Sequence, residues 1–196
     1  MMSSDRPPTR DRILDAAIEL LQKRGEKPVR MSDIAKAAGL SRQAVYLNFP
    51  NRADLLMAAV RHLDDKQDVE ARLAASRAAT TGEERLSLWV EAWGNYIPLI
   101  HGVARALMEM QSKDPDARAA WADRMAGVRR GCAAAVAALA RDGQLTADLD
   151  EGTATDLLFA VLSVHGWETL RLDLGWSQEK YLDQMKRLVR ARLLAG

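Results

Sequence analysis

One short segment of the chain, residues 42–48 (RQAVYLN), carries side chains that can contact the edges of nucleic-acid bases. An arginine can donate two hydrogen bonds to guanine, and a glutamine can both donate to and accept from adenine. Arg42 and Gln43 supply these groups side by side, and we expect both to be exposed beside the apolar Val45 and Phe49, which are expected to be buried. The segment therefore predicts a short helix with one packed face and one polar face able to read bases.

A second short amphipathic helix precedes this segment, with Ile34 and Ala35 predicted to face inward. Gly39 is expected to end it, and Ser41 is placed to cap the next helix. Two short helices joined by a glycine-containing turn are the sequence form of a helix-turn-helix, whose second helix lies in the major groove of DNA. Packing within the second helix is predicted for Ala44, Val45, Leu47, Asn48 and Phe49.

The polar residues around this motif divide by chemistry. Arg42 and Gln43 are predicted to read bases, although which of Arg42, Gln43 and Tyr46 touches a base stays open. The residues suited to DNA phosphates are Ser41, Tyr46, Asn48 and Arg52. The first turn of the preceding helix, at Arg30 and Ser32, could add backbone amides at a phosphate. The alternative interpretation is that Arg42 and Gln43 are only solvated residues at a helix N-terminus.

Composition and charge favour an all-α chain with a small N-terminal DNA-binding domain. The 196 residues are 48% hydrophobic and 28% charged, which is ordinary for a globular protein with a real core. Residues 1–62 carry 11 Lys and Arg against 7 Asp and Glu, whereas the remainder carries 17 against 20. A mildly basic N-terminal segment followed by a mildly acidic remainder is typical of a DNA-binding domain joined to a larger domain with a different function.

Other classes of protein are disfavoured by the motifs that the sequence lacks. Cys132 is the single cysteine, so neither an internal disulfide nor a cysteine-based zinc site is expected. There is no Gly-rich phosphate loop, GxSxG or HExxH motif, and the three histidines are scattered, so no enzyme activity, metal or cofactor is expected. No stretch approaches the ~18 apolar residues of a membrane span, and no apolar leader is found. A cytoplasmic protein without membrane partners is therefore expected.

The rest of the chain has the pattern of successive helices, about nine in all, with no credible strand. Arg52 opens a long fourth helix, and Pro98 is expected to kink or end a helix that begins near Glu83. Three later helices are predicted, over about residues 116–141, 151–174 and 177–194.

The order of these elements resembles the TetR family of bacterial regulators. The resemblance rests on IAKAAGLS and on the ungapped run AAGLSRQAVYLNFPNRADLL, within roughly residues 10–60. The family usually has Thr or Ser where Arg30 stands, three residues before Asp33. The capping box is therefore expected to be lost, with Ser32 as an alternative cap. Asn48 replaces the commoner His and Arg52 the commoner Lys, which keeps hydrogen bonding and positive charge.

The resemblance implies a three-helix helix-turn-helix domain over residues 1–55 and a larger helical effector-binding and dimerisation domain over residues 56–196. It also implies a homodimer through the last two helices, which would place two recognition helices about 34–36 Å apart for successive major grooves. The implied function is that of a repressor of transcription, released from a palindromic double-stranded DNA operator by a small apolar ligand. A constitutive or architectural DNA-binding protein without ligand control is the alternative.

The resemblance further implies a ligand pocket in the larger domain. Large aromatic side chains and flexible methionines can line an adaptable apolar pocket. The candidate ligand-binding residues are Trp89, Trp93, Tyr96, Met108, Trp121, Met125, Phe159 and His165. The alternative is that the aromatic residues form ordinary core and that His165 is a satisfied core or interface histidine.

Overall fold

A computed structural model describes residues 8–24 and 28–195, which form ten α-helices. The helices are α1 (Thr9–Arg24), α2 (Met31–Ala37), α3 (Arg42–Asn48), α4 (Arg52–Lys66), α5 (Val69–Ala78), α6 (Gly82–Met110), α7 (Pro115–Arg141), α8 (Glu151–Val161), α9 (Val164–Glu168) and α10 (Gln178–Leu193). A π-helical turn, Thr169–Asp173, continues α9. The all-α prediction is confirmed: across these ranges the β contact is one isolated bridge between Leu145 and Leu194. No helix in them combines the length and hydropathy needed to span a membrane.

The helices form two compact units, with one limit between α4 and α5 and the other two inside α6 and α7. Of the described residues, the first unit contains those up to Gln67 together with Gly102–Arg124, and the second contains Asp68–His101 together with those from Met125 onward. Because α4 packs against α1, the first compact unit extends beyond residue 55, where the sequence places the end of the DNA-binding domain. That functional boundary stays a prediction.

In the first unit, α1 and α4 form the support for the helix-turn-helix. Ile13 and Ala17 of α1 and Leu55, Leu56 and Ala59 of α4 are all buried. Full burial of a leucine-sized side chain contributes about 1.5–3 kcal/mol to folding. Helix α2 packs on α1 and α3 packs on α2, so α3 is held by a well-packed base.

In the second unit, α6 runs through Pro98 instead of ending there as one reading of the sequence expected. A proline lacks the amide that would bond the carbonyl four residues earlier, which here is the carbonyl of Gly94. The side-chain Nε2 of Gln178, at the start of α10, donates to the Gly94 oxygen at 2.9 Å. A neighbouring helix thus satisfies the freed acceptor, and the α6 helix continues.

Side-chain caps start two helices whose beginnings the sequence did not predict. After α4 ends at Lys66, Asp68 adopts a left-handed φ of 51° and its carboxylate accepts from the Ala71 amide at 3.3 Å, which starts α5. The helix predicted over residues 151–174 breaks at Ser163, whose hydroxyl accepts from the Gly166 amide at 3.1 Å. Such caps stabilise a helix start by about 1 kcal/mol.

Candidate nucleic-acid interface

The turn between α2 and α3 is fixed by backbone geometry. Gly39 has a φ of +65°, a conformation that costs other residues roughly 1–2 kcal/mol. The Leu40 amide donates to the Ala35 carbonyl at 2.9 Å. Arg12 of α1 donates to the Ala38 carbonyl at 2.6 Å. The sequence did not indicate this role for Arg12, because no local pattern shows which turn an α1 side chain will reach.

The start of α2 keeps half of the capping box that the sequence suggested was lost. Arg30 occupies the N-cap position, and its side chain has no acceptor for the orphan amides. The Asp33 carboxylate nevertheless accepts from the Arg30 backbone amide at 3.4 Å. Ser32 lies inside the first turn and is therefore not the cap. Both Arg30 and Ser32 are exposed.

Helix α3 is capped at its N-terminus and is buried on one side. The Ser41 hydroxyl accepts from the Ala44 amide at 3.1 Å, as its predicted capping role requires. Val45 is fully buried and Phe49 is 2% exposed, so these two side chains anchor the helix to its support.

The exposed surface of α3 presents the candidate base-reading residues together. Arg42 and Gln43 are both exposed. Arg42 Nη2 donates to the Tyr46 hydroxyl at 3.4 Å, and the guanidinium carbon lies 5.5 Å from the Tyr46 ring centroid. The Gln43 amide makes no hydrogen bond to the part of the chain that the structure describes. Both of its polar atoms are therefore available to a ligand.

Leu47 does not pack, contrary to the prediction. Its side chain is 81% exposed, whereas Val45 and Phe49 on either side are buried. Position 47 lies one helical turn beyond Gln43, so it shares the outward face of α3.

The C-terminal end of α3 meets the start of α1. Asn48 Nδ2 donates to the Ala44 carbonyl at 2.9 Å. Arg10 donates to the Asn48 carbonyl at 3.2 Å, and its guanidinium carbon lies 4.3 Å from the Phe49 ring centroid. The sequence assigned no role to Arg10, because only the fold brings it beside the recognition helix.

Arg52 is engaged within the first unit and is not free for a phosphate. Its Nε donates to the Val29 carbonyl at 2.5 Å, and its Nη2 lies 2.7 Å from Asp114 Oδ2. Asp116 Oδ2 lies 3.3 Å from Nη1. The side chains of Arg52 and Asp114 are only 16% and 11% exposed. The predicted phosphate contact does not fit this position, because a phosphate would have to displace two carboxylates that already neutralise the guanidinium.

The charge of Asp114 is maintained by its surroundings. Burial on its own raises the pKa of this carboxyl, but the hydrogen bond from Arg52 and those from the backbone amides of Ala117 and Asp116 outweigh it, so the pKa is lowered. Since Asp114 immediately precedes α7, the ion pair ties the start of α4 to the start of α7.

The candidate ligand-binding residues are divided between the units: Met108 and Trp121 belong to the first, and the other six to the second. Trp89, Trp93 and Tyr96 of α6 are buried. The Trp93 and Tyr96 ring centroids are 6.1 Å apart, and Trp93 Nε1 donates to the Leu162 carbonyl at 2.8 Å. Met125 and Phe159 are half-buried. The structure therefore brings together the rings of Trp93 and Tyr96, and Trp89 lies buried on the same helix.

His165 is not a core histidine, whereas its alternative place at an interface stays a prediction. Its side chain is 80% exposed, and Nδ1 lies 3.7 Å from Glu168 Oε2. This exposure does not fit a residue lining an apolar pocket of the second unit. His101, which the sequence passed over, is half-buried, with Nε2 2.8 Å from Glu168 Oε1 and its ring centroid 5.2 Å from that of Trp167.

The described residues show no arrangement of three or more His, Cys, Asp or Glu side chains able to hold a metal ion. Cys132 is buried, and burial raises the pKa of its thiol to about 12. Because the thiolate is the reactive form, this cysteine is an inert packing residue.

A helix-turn-helix braced by α1 and α4, with arginine and glutamine on the outward face of its second helix, defines a DNA-binding protein. Residues 13–59 match the family described as bacterial regulatory proteins, tetR family. The helix-turn-helix segment of this chain is therefore of the TetR type.

Relatives extend the likeness beyond the motif. The HTH-type transcriptional regulator TtgR of Pseudomonas putida is 27% identical, over 89% of this chain and 88% of that protein. The HTH-type transcriptional repressor LfrR of Mycolicibacterium smegmatis is 43% identical over 32% of each chain. The transcriptional regulator FadR from Bacillus subtilis in complex with stearoyl-CoA has a TM-score of 0.72 at 20% identity, covering 92% of this chain and 97% of that one. At that identity the structural likeness shows the fold alone.

Proposed function

We propose that this chain is a dimeric repressor of transcription that holds a palindromic operator through α3 and releases it when a small apolar ligand binds. The observation that carries the proposal is the outward face of α3, where Arg42 and Gln43 are exposed above the buried Val45. An arginine and a free carboxamide on a short, well-supported helix are the groups that read guanine and adenine in the major groove.

Register on the DNA would be set by groups around this face. Ser41 and Tyr46 lie on the exposed side of α3, and Arg10 holds an exposed guanidinium at its C-terminal end. Such side chains fix position through phosphates and carry no sequence information. We propose Arg10 for the phosphate contact that the sequence had given to Arg52.

The proposed dimer uses α8 and α10, which pack on one another in the second unit. Each leaves a leucine at the surface: Leu157 of α8 is 37% exposed and Leu188 of α10 is 48% exposed. A twofold axis across these helices would form a four-helix bundle and double the recognition helix.

For the ligand, we propose a small apolar molecule held near the α6 aromatic residues Trp89, Trp93 and Tyr96. These side chains support the proposal because they supply a large apolar surface. The structural neighbour FadR is in complex with stearoyl-CoA, whose acyl chain is apolar although its CoA part is large and charged, so it supports only the apolar character of the contact. Ligand binding would change the separation of the two α3 helices. Operator affinity that no hydrophobic compound changes, in a screen that also detects no thermal stabilisation, would favour the constitutive DNA-binding alternative.

Replacing Gln43 with alanine should reduce discrimination between matched and mismatched operators by about 1–3 kcal/mol, because one bidentate base contact is lost. The measurement is the Kd on both duplexes at one fixed salt concentration. Gln22→Ala removes an exposed glutamine from α1 and should change neither value. An equal loss of affinity on both duplexes for Gln43→Ala would show that Gln43 reads no base.

Replacing Leu188 with glutamate should weaken the dimer by about tenfold or more, because the twofold axis buries the introduced charge twice. Sedimentation over a range of concentrations measures the dimer constant. Leu172→Glu is the matched control, since Leu172 is 54% exposed on the π-helical turn. A dimer as tight as the wild type would place the interface elsewhere.

A further inference from the structure

The outward face of α3 holds an apolar side chain that neither folding nor the proposed contacts explain. Leu47 is 81% exposed, the highest value among the large hydrophobic side chains of the described residues. It contributes almost no burial to the fold, since Val45 and Phe49 supply the anchoring of α3.

The neighbours of Leu47 on this face are already assigned to DNA. Gln43 lies one turn earlier with its carboxamide free, and Tyr46 is adjacent with its hydroxyl bonded to Arg42. Side chains four residues apart on a helix have Cβ atoms about 5–6 Å apart. Successive bases of one DNA strand are about 3.4 Å apart along the helix axis. Leu47 and Gln43 can therefore face neighbouring or next-but-one base pairs.

We propose that Leu47 packs against the 5-methyl group of a thymine in the major groove and so selects an A·T pair at that position of each half-site. This proposal rests on the proposed operator binding by α3. Thymine is the only standard base with a methyl group in this groove, and apolar side chains contact it. A G·C pair would instead present polar edge groups to the leucine, and buried polar groups without partners are costly.

On the outward face of α3, Leu47 and Gln43 would favour the same kind of base pair. A glutamine carboxamide matches adenine N6 and N7, so Gln43 and Leu47 together favour A·T pairs at two positions of one half-site. One side chain does so by hydrogen bonding, and the other by excluding polar edges. The operator is accordingly expected to carry a thymine at a fixed offset from the base that Gln43 reads.

The test uses the full chain and a duplex that it selects from random-sequence DNA. Each thymine is replaced in turn by deoxyuridine, which removes only the methyl group and keeps base pairing. For wild type, one position per half-site should lose affinity about fourfold, as expected for ~0.8 kcal/mol per methyl-sized group. Substitution in both half-sites together should cost about fifteenfold if the two contacts are independent.

Leu47→Ala is the decisive variant, because the side chain is exposed and alanine is a good helix former, so the fold should be kept. It should bind the thymine and deoxyuridine duplexes within about 1.5-fold of each other. Leu174→Ala, which truncates a 62% exposed leucine of the second unit, should behave as the wild type. Circular dichroism confirms that each variant is folded.

Two results would overturn the proposal. In the first, no thymine methyl group contributes to the affinity of the wild type. In the second, removal of the methyl group lowers the affinity of Leu47→Ala as much as that of the wild type. In either case operator binding by α3 would stand, and only the thymine contact would be refuted. A wild-type chain that selects no duplex at all would refute both the thymine contact and the proposed function.

Discussion

Replacing Arg52 with alanine is expected to lower the free energy of unfolding by about 2–4 kcal/mol. The substitution leaves the Asp114 carboxylate, which is 11% exposed, without its cation, and breaking a buried pair from one side is strongly destabilising. It also removes the donor to the Val29 carbonyl, which lies just before α2. Urea denaturation followed by circular dichroism measures the loss.

The matched control is Arg61→Ala on the same helix. Arg61 also pairs with an aspartate of α7, Asp123, but the two side chains are 67% and 39% exposed. Exposed pairs contribute about 0–1 kcal/mol, so this variant should remain near wild type. Equal losses for the two arginine variants would contradict a special role for the Arg52 pair.

The Arg52 pair also predicts a dependence on pH. Because the pKa of Asp114 is lowered in the folded chain, its contribution to stability is fully present above the unfolded value of about 3.9 and is lost as the pH falls through the folded value. The stability difference between wild type and Arg52→Ala should therefore be constant near neutral pH and shrink below about pH 4. A difference that grows with acidification would have the wrong sign.

Replacing Gly131 with alanine is expected to lower the free energy of unfolding by about 2–3 kcal/mol, although alanine is the better helix former. A Cβ at this position of α7 would lie 2.0 Å from Cη2 of Trp89 and 2.5 Å from Cζ2 and Cζ3. Trp89 is only 7% exposed, so its ring has no open space into which to move. The same urea titration measures the effect.

Two further variants distinguish this clash from a general intolerance of alanine. In Gly102→Ala, in α6, the new Cβ would lie 3.2 Å from Cγ of Gln22 and 3.8 Å from its Cα, so a small shift of one exposed side chain relieves the contact and the variant should be near neutral or stabilising by up to ~1 kcal/mol. Combining Gly131→Ala with Trp89→Leu should cost less than the sum of the two single changes, since the smaller side chain makes room. Strictly additive losses would mean that the alanine side chain at position 131 does not clash with the ring of Trp89.

The sequence predicted the helix-turn-helix well because its signals are local. The capping hydroxyl of Ser41, the positive φ of Gly39 and the alternation of buried Val45 with exposed Arg42 and Gln43 all arise within a few residues. Local chemistry decides such features before any long-range contact forms. Periodicity likewise predicted an all-α chain.

The sequence failed where a distant partner decides the outcome. Arg52 carries the positive charge that a phosphate contact requires, but its guanidinium pairs with Asp114, which is 62 residues away in the sequence. Pro98 would normally end a helix, yet Gln178 satisfies the carbonyl that it frees. Arg10 and Arg12 acquired roles beside α3 and the turn only through the packing of α1. None of these pairings has a signature in sequence spacing.

Leu47 departs from the sequence prediction for a different reason. Its apolar character predicts burial, but a seven-residue helix has room for a narrow packed stripe only, and Val45 and Phe49 fill it. Helical geometry places position 47 with Gln43 on the outward side. An apolar residue in a predicted DNA-reading face is therefore better treated as a possible base contact than as core.

The most direct measurement is a footprint of the full chain on its selected duplex, combined with substitution of 7-deazapurines, which lack the major-groove N7 acceptor. The account predicts two protected segments on one face of the DNA, centred about 10 base pairs or a multiple of one helical turn apart. Within each segment, one or two purine N7 atoms should be essential for binding by the wild type. At least one of these atoms should no longer contribute to binding by Gln43→Ala. Protection with no sensitivity to any N7 atom, or no protection at all, would contradict the claim that the exposed face of α3 reads the major groove.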